Sequence, residues 1–155
     1  MKAFLSYSLS DTQEYVVTIM ARQLREKGYT LMTHTGTHLG LSALNTTLRG
    51  CSLFIGVVTQ RSNEYDRVVN EYNQADAWQI PALLLFERSV AHNAGVLDHP
   101  NVVVFDRFDP NPALEHVRDR IAWARSPETK SDDTAAWVIG GAAVLALIAL
   151  LSSKK

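Results

Sequence analysis

Glu71 is the residue whose setting points most directly to chemistry. It belongs to the stretch SLFIGVVTQRSNEYDRVVNEYNQA, residues 52–75. Within it Leu53, Phe54, Ile55, Gly56, Val57 and Val58 form a short continuous apolar run, as expected of a strand buried on both faces. A polar turn follows, in which Ser62 or Asn63 can cap a helix that carries Glu71 in its middle. Ligands of an open parallel sheet sit just past the carboxyl ends of its strands, so Glu71 starts close to that crevice. Tyr65, Val68, Val69, Tyr72 and Ala75 recur at helical spacing and make one apolar face. Glu71 lies at the flank of that face, about 40° from Ala75. The position suits two readings: a boundary glutamate on an amphipathic helix, or a carboxylate turned toward a ligand.

Other candidates carry weaker signals. The small-residue loop TGTHLG, residues 35–40, can bring backbone close to a phosphate, and it reads equally as a plain connector. The histidines at 34, 38, 92, 99 and 116 lack any metal-ligand spacing; His34 and His38 are four apart, but Gly36 between them argues against a helix that would join them. No dinucleotide glycine motif, Walker loop or nucleophile elbow occurs. Cys51 is the sole cysteine, so no internal disulfide can form. Its apolar neighbours mark it as a small core residue rather than a reactive thiol. Tyr7 and Trp78 could stack on a ligand or fill the core. Fifteen basic residues balance sixteen acidic ones, which removes the electrostatic case for a nucleic-acid partner.

The elements that must position these residues alternate. Strands are expected over 2–8, 29–33, 53–58, 82–86 and 101–106. Helices are expected after Ser10 and Asp11, which can cap the first, over 43–49, after Ser62 or Asn63, and from Pro110-Asn111-Pro112 onward. Gly28 ends the first helix, Gly50 the second, and Ile80-Pro81 the third. Residues 87–100 read as a loop or a broken helix. Plain apolar strands alternating with helices predict an α/β fold, a flavodoxin-like five-stranded parallel sheet with helices on both faces, over residues 1–124.

A polar linker follows at 125–134. Residues 135–151, AAWVIGGAAVLALIALL, contain no charge and are followed by a basic tail, 152–155. As a helix this segment rises about 25 Å, the lower limit for crossing a hydrocarbon core. Trp137 suits one interface and Lys154 and Lys155 the other. A core helix would show a polar face, and this one has none. A single membrane anchor is therefore expected, with Ala136/Gly140 and Ala142/Ala146 as small-residue pairs that permit close helix packing. Residues 1–11, Met1-Lys2 followed by AFLSYSLSD, are too short and polar for a secretory core region, so the folded domain is expected in the cytoplasm.

The box Phe4-Leu5-Ser6-Tyr7-Ser8, followed by Asp11, resembles the first sequence box of Toll/interleukin receptor (TIR) domains. The loop after the second strand then corresponds to the family's BB loop. The pattern from Leu44 to Ala75, with Cys51 before the third strand and a glutamate in the next helix, is similar to the region around the family's catalytic glutamate. The resemblance covers residues 2–124. It implies cleavage of NAD, as substrate rather than cofactor, by a glycohydrolase or cyclase that self-associates through TIR domains in an immune or antiviral setting. Glu71 would be the catalytic carboxylate. Phe4, Ser6, Tyr7, His34, Thr35, Gly36 and Leu39 would bind the substrate, and no metal is called for. Breaking the ribosyl–pyridinium bond develops positive charge on the sugar, which a fixed carboxylate stabilises or captures. Nicotinamide leaves as a neutral base, so no general acid is required. The Trp-Cys pair that often precedes the family glutamate is absent, and Arg67 and Val68 stand there. Two alternatives accompany this reading. One is a non-enzymatic TIR adaptor or nucleotide sensor whose tail acts at the membrane. The other is a nucleoside deoxyribosyltransferase-like enzyme, which shares the sheet and a catalytic glutamate.

Overall fold

Five apolar strands pair side by side in the order β2-β1-β3-β4-β5, all parallel. They are β1 (Lys2–Tyr7), β2 (Thr30–Thr33), β3 (Leu53–Val58), β4 (Ala82–Glu87) and β5 (Val102–Phe105). The helices between and after them are α1 (Tyr15–Glu26), α2 (Leu41–Arg49), α3 (Tyr65–Ala77), α4 (Arg88–Ala94) and α5 (Asn111–Ala124). This computed structural model describes residues 1–11, 14–33, 41–94 and 100–124. The flavodoxin-like α/β sheet expected from the sequence is thus the observed one. The anchor at 135–151 and its linker lie outside the described residues, among which no helix is long and apolar enough to cross a membrane.

Strand alternation sorts the core into two layers. Ala3, Leu5, Ile55, Val57, Leu83, Leu85 and Phe105 face α1 and α5, where Val17, Met20, Leu24, Leu114, Val117 and Ile121 meet them. Phe4, Phe54, Val58, Leu84 and Phe86 face the other way, onto Leu48 of α2, Val68, Val69, Tyr72 and Ala75 of α3, and Ala91 of α4. Both faces of the central strands are therefore dry, which is why β3 and β4 read as unbroken apolar runs. At Gly56 the packing is closest. A Cβ there would stand 2.6 Å from Leu84 Cδ2 and 2.9 Å from Val68 Cγ1, so α3 rests on the sheet through a position without a side chain.

Helix ends depart from expectation in an informative way. Gly28 does close α1, with φ of 80° and a Tyr29 N–H donated to the Leu24 carbonyl at 3.0 Å. Ser10 and Asp11 do not cap it. They belong to a 3-10 turn (Leu9–Asp11), and α1 begins after Glu14 without a side-chain cap. Ser62 and Asn63 likewise leave α3 uncapped, because Glu64 is its N-cap residue. All four polar side chains are spent instead on ties between loops at the carboxyl edge of the sheet. Residues 88–94, read as irregular, form the short helix α4.

Candidate functional site

The order β2-β1-β3-β4-β5 reverses direction between β1 and β3, and the crevice beyond their carboxyl ends is where such sheets place ligands. At the ends of β1 and β3 several described side chains meet. Ser6 shares a face of β1 with Phe4 and so points to α3, where its hydroxyl donates to Glu71 Oε2 at 2.5 Å. Arg67, one turn before Glu71 on α3, donates to Glu71 Oε1 at 3.0 Å and to the Tyr7 carbonyl at 2.8 Å. Glu64 adds a second carboxylate to Arg67 and accepts the Leu9 N–H at 2.9 Å. Burial works against the Arg67 charge, but Glu71 and Glu64 outweigh it and hold the guanidinium above its ordinary range. Glu64 is shifted below the usual carboxylate range, first by the Leu9 N–H and, against some desolvation, by Arg67.

A second knot adjoins it. Asp11, fully buried, accepts from Thr59 Oγ1 at 2.7 Å and from Ser62 Oγ. Ser8 donates to Asn63 Oδ1 at 2.6 Å. These bonds fasten the β1–α1 connection to the β3–α3 loop.

The residues expected to bind substrate are distributed unevenly. Ser6 and Glu71 meet, and Tyr7 joins them through its carbonyl. Phe4 does not: its ring is fully buried and stacks on Phe54 at 5.9 Å, two strands' worth of core below the edge. His34, Thr35, Gly36 and Leu39 lie outside the described residues. Trp78 ends α3 at the opposite, amino edge, where the Arg49 guanidinium covers its ring at 4.8 Å. Glu71 is 2% exposed, with both oxygens engaged. Arg67, standing where the Trp-Cys pair would be, neutralises it.

Open space lies farther along the same edge. A cavity of about 660 Å³ past the ends of β3, β4 and β5 is lined by Gln60, Glu87, Arg88, Ser89, His92, Asp106, Arg107 and Phe108. Glu87 ends β4 and is 5% exposed. It accepts the Gln60 N–H at 2.8 Å and two Arg107 bonds, at 3.3 and 3.1 Å, with Ser89 Oγ at 3.4 Å from its other oxygen. Arg107 also reaches Glu14 at 3.3 Å. The Glu87 hydrogen bonds, against a smaller desolvation, hold Arg107 above its ordinary range. Arg88 and His92, four apart on α4, are exposed and make no hydrogen bond or ion pair among the described residues. The sequence did carry a signal for this pocket: a glutamate closing an apolar strand, the same edge rule that singled out Glu71. Among the described residues no group of three or more His, Cys, Asp or Glu could hold a metal.

No protein-family profile and no curated protein matches the chain by sequence. A solved structure does match: the sugar isomerase domain of the RpiR transcription factor from Sphaerobacter thermophilus, with a TM-score of 0.50 at 18% identity. The match covers 98% of this chain and 78% of that one. It is a likeness of fold. It also corrects the TIR assignment, since the matching domain is a sugar isomerase domain and no sequence relative supports a TIR domain. The membrane-anchored NAD-cleaving defence effector, and the TIR adaptor or sensor beside it, fall with that assignment.

Proposed function

We propose that the chain is a sugar-phosphate-binding domain whose ligand enters the open pocket past β3, β4 and β5. One observation carries this reading: the same cavity holds a cation, Arg88, whose side chain has no partner among the described residues, beside a buried and fixed carboxylate, Glu87. An anionic group is drawn to an arginine without a partner, which offers a planar set of donors. Sugar hydroxyls donate well to carboxylates, and Glu87 and Asp106 supply them. A volume of about 660 Å³ lies within the usual range for small-ligand pockets, ~300–1,000 Å³. The likeness to a sugar isomerase domain favours a sugar over other polyols. Binding is better supported than turnover. Glu87 already accepts from Gln60, Ser89 and Arg107, which makes it an acceptor for hydroxyls rather than a base for a C–H proton.

Calorimetric titration with glucose 6-phosphate and with glucose tests the reading. The phosphate ester should bind and the free sugar should not. Arg88→Ala should weaken binding roughly 10–100-fold, the worth of a charge-assisted hydrogen bond, with an unchanged melting temperature. Failure of glucose 6-phosphate to bind, or equal binding by Arg88→Ala, would sink it. The uncharged segment 135–151 supports a second part of the proposal, attachment of this domain to a bilayer. The full chain should sediment with membranes and the chain lacking 135–155 should not.

A further inference from the structure

We infer that the pocket takes its ligand as a closed sugar ring, with Phe108 stacked on the ring's apolar C–H face; this rests on the sugar-phosphate reading above. A single exposed apolar side chain is ordinary on a protein surface. Phe108 differs in three respects. Among the exposed large apolar residues it is the most open, at 95%, against 51–60% for Met1, Leu9 and Tyr15. It also lines the cavity, as those three do not.

Its backbone, moreover, is fixed on both sides. The Phe108 N–H donates to Asp106 Oδ1 at 2.8 Å, and the preceding Arg107 is tied to both Glu87 and Glu14. Two residues later Pro110 is buried, and its carbonyl accepts the Leu114 N–H at 3.0 Å at the start of α5. The ring is therefore presented at a set place on the rim, uncovered by any of the described residues.

The remaining wall is polar: Glu87, Arg88, Ser89 and His92. A ligand that satisfies both sides needs one flat apolar face, hydroxyls at its edge and an anionic end. A phosphorylated pyranose has all three, because its axial hydrogens lie on the face while its hydroxyls project outward. An acyclic polyol phosphate has the hydroxyls and the anion without the face, and it leaves Phe108 in water. Phe108 is thus the residue that selects ring from chain, while Arg88 and Glu87 select phosphate and hydroxyl.

Two probes that cannot interconvert test this: methyl α-glucopyranoside 6-phosphate, locked as a ring, and sorbitol 6-phosphate, locked as a chain. The intact protein should bind the ring about three- to tenfold more tightly, the worth of one aromatic contact. Phe108→Ala should abolish that preference by weakening the ring alone, and Phe108→Trp should retain it. Equal affinity for both probes, or an equal loss on both in Phe108→Ala, overturns ring selection while leaving the sugar-phosphate reading intact. Binding of neither probe overturns both. Tighter, Phe108-dependent binding of adenosine 5′-monophosphate also overturns it, because the aromatic face then serves a base.

Discussion

Glu71 and Glu87 both stand at the carboxyl edge of the sheet, nearly sealed from water and facing an arginine, and Glu87 lines a cavity formed by described residues. The difference lies in where the arginine comes from. Arg67 shares a helix with Glu71, and its remaining donors go to Tyr7 and Glu64, so the pair and its surroundings form a closed tie between α3 and β1. Arg107 arrives from beyond β5 and reaches Glu87 and Glu14 directly. Arg107 and Glu87 both line the cavity. Beside it Arg88 has no acceptor among the described residues. A buried charge is no sign of a binding site by itself; unspent hydrogen-bonding capacity next to a void is the better sign.

If this contrast is right, the two clusters should fail differently. The largest effect belongs to the closed one. Arg67→Ala removes the positive charge paired with the buried Glu71 and should cost up to about 3–5 kcal/mol in urea unfolding, whereas Arg67→Met with Glu71→Leu should recover most of it. A cost near zero for the single variant would mean that water reaches Glu71 and the cluster is not closed. Next in size is Glu87→Gln, which keeps the shape and removes the charge. It should lose about 1.5–3 kcal/mol of stability with its charged hydrogen bonds, and weaken sugar-phosphate binding at the same time. Loss of stability with unaltered binding would detach Glu87 from the pocket's role.

The smallest effect concerns pH. Glu64 is shifted below the usual carboxylate range chiefly by the Leu9 N–H. The unfolded chain therefore binds its proton first as pH falls. The stability Glu64 contributes is complete above the ordinary carboxylate range and disappears as pH drops through its folded value. Being partly exposed, it should contribute less than about 1 kcal/mol. The stability gap between Glu64→Gln and the parent should thus narrow in acid, and a gap that widens would reverse the assignment.

The sheet was legible because strands buried on both faces leave continuous apolar runs, and helices on such a sheet leave 3.6-residue stripes. The meeting of Ser6 with Glu71 was partly legible, since strand alternation puts Ser6 on the same face as Phe4 and toward α3. The fate of Ser10, Asp11, Ser62 and Asn63 was not. Serines, aspartates and asparagines before an apolar stripe look like caps whichever group they finally bond, and here loop-to-loop partners some 50 residues away won. Apart from Glu87 closing its strand, the pocket was hidden for another reason. It is made of the last residue of β4, residues just past β3 and β5, and a helix of under two turns, too short for any period to register. The FLSYS box misled because a buried, largely apolar first strand is common to parallel sheets covered on both faces. It reports the sheet, and the chemistry must be read from the edge.

Gly56 gives that edge its dimensions. It pairs in register with Ser6 on β1 and with Leu84 on β4, directly beneath α3. The hydrogen at this one position sets how low the helix can lie, and with it how far the Ser6 hydroxyl must reach to touch Glu71. A methyl group would act as a shim, lifting Val68 and the turn above it and letting water in between strand and carboxylate. The dryness of the closed cluster is therefore governed from below, by an atom that takes no part in any of its bonds.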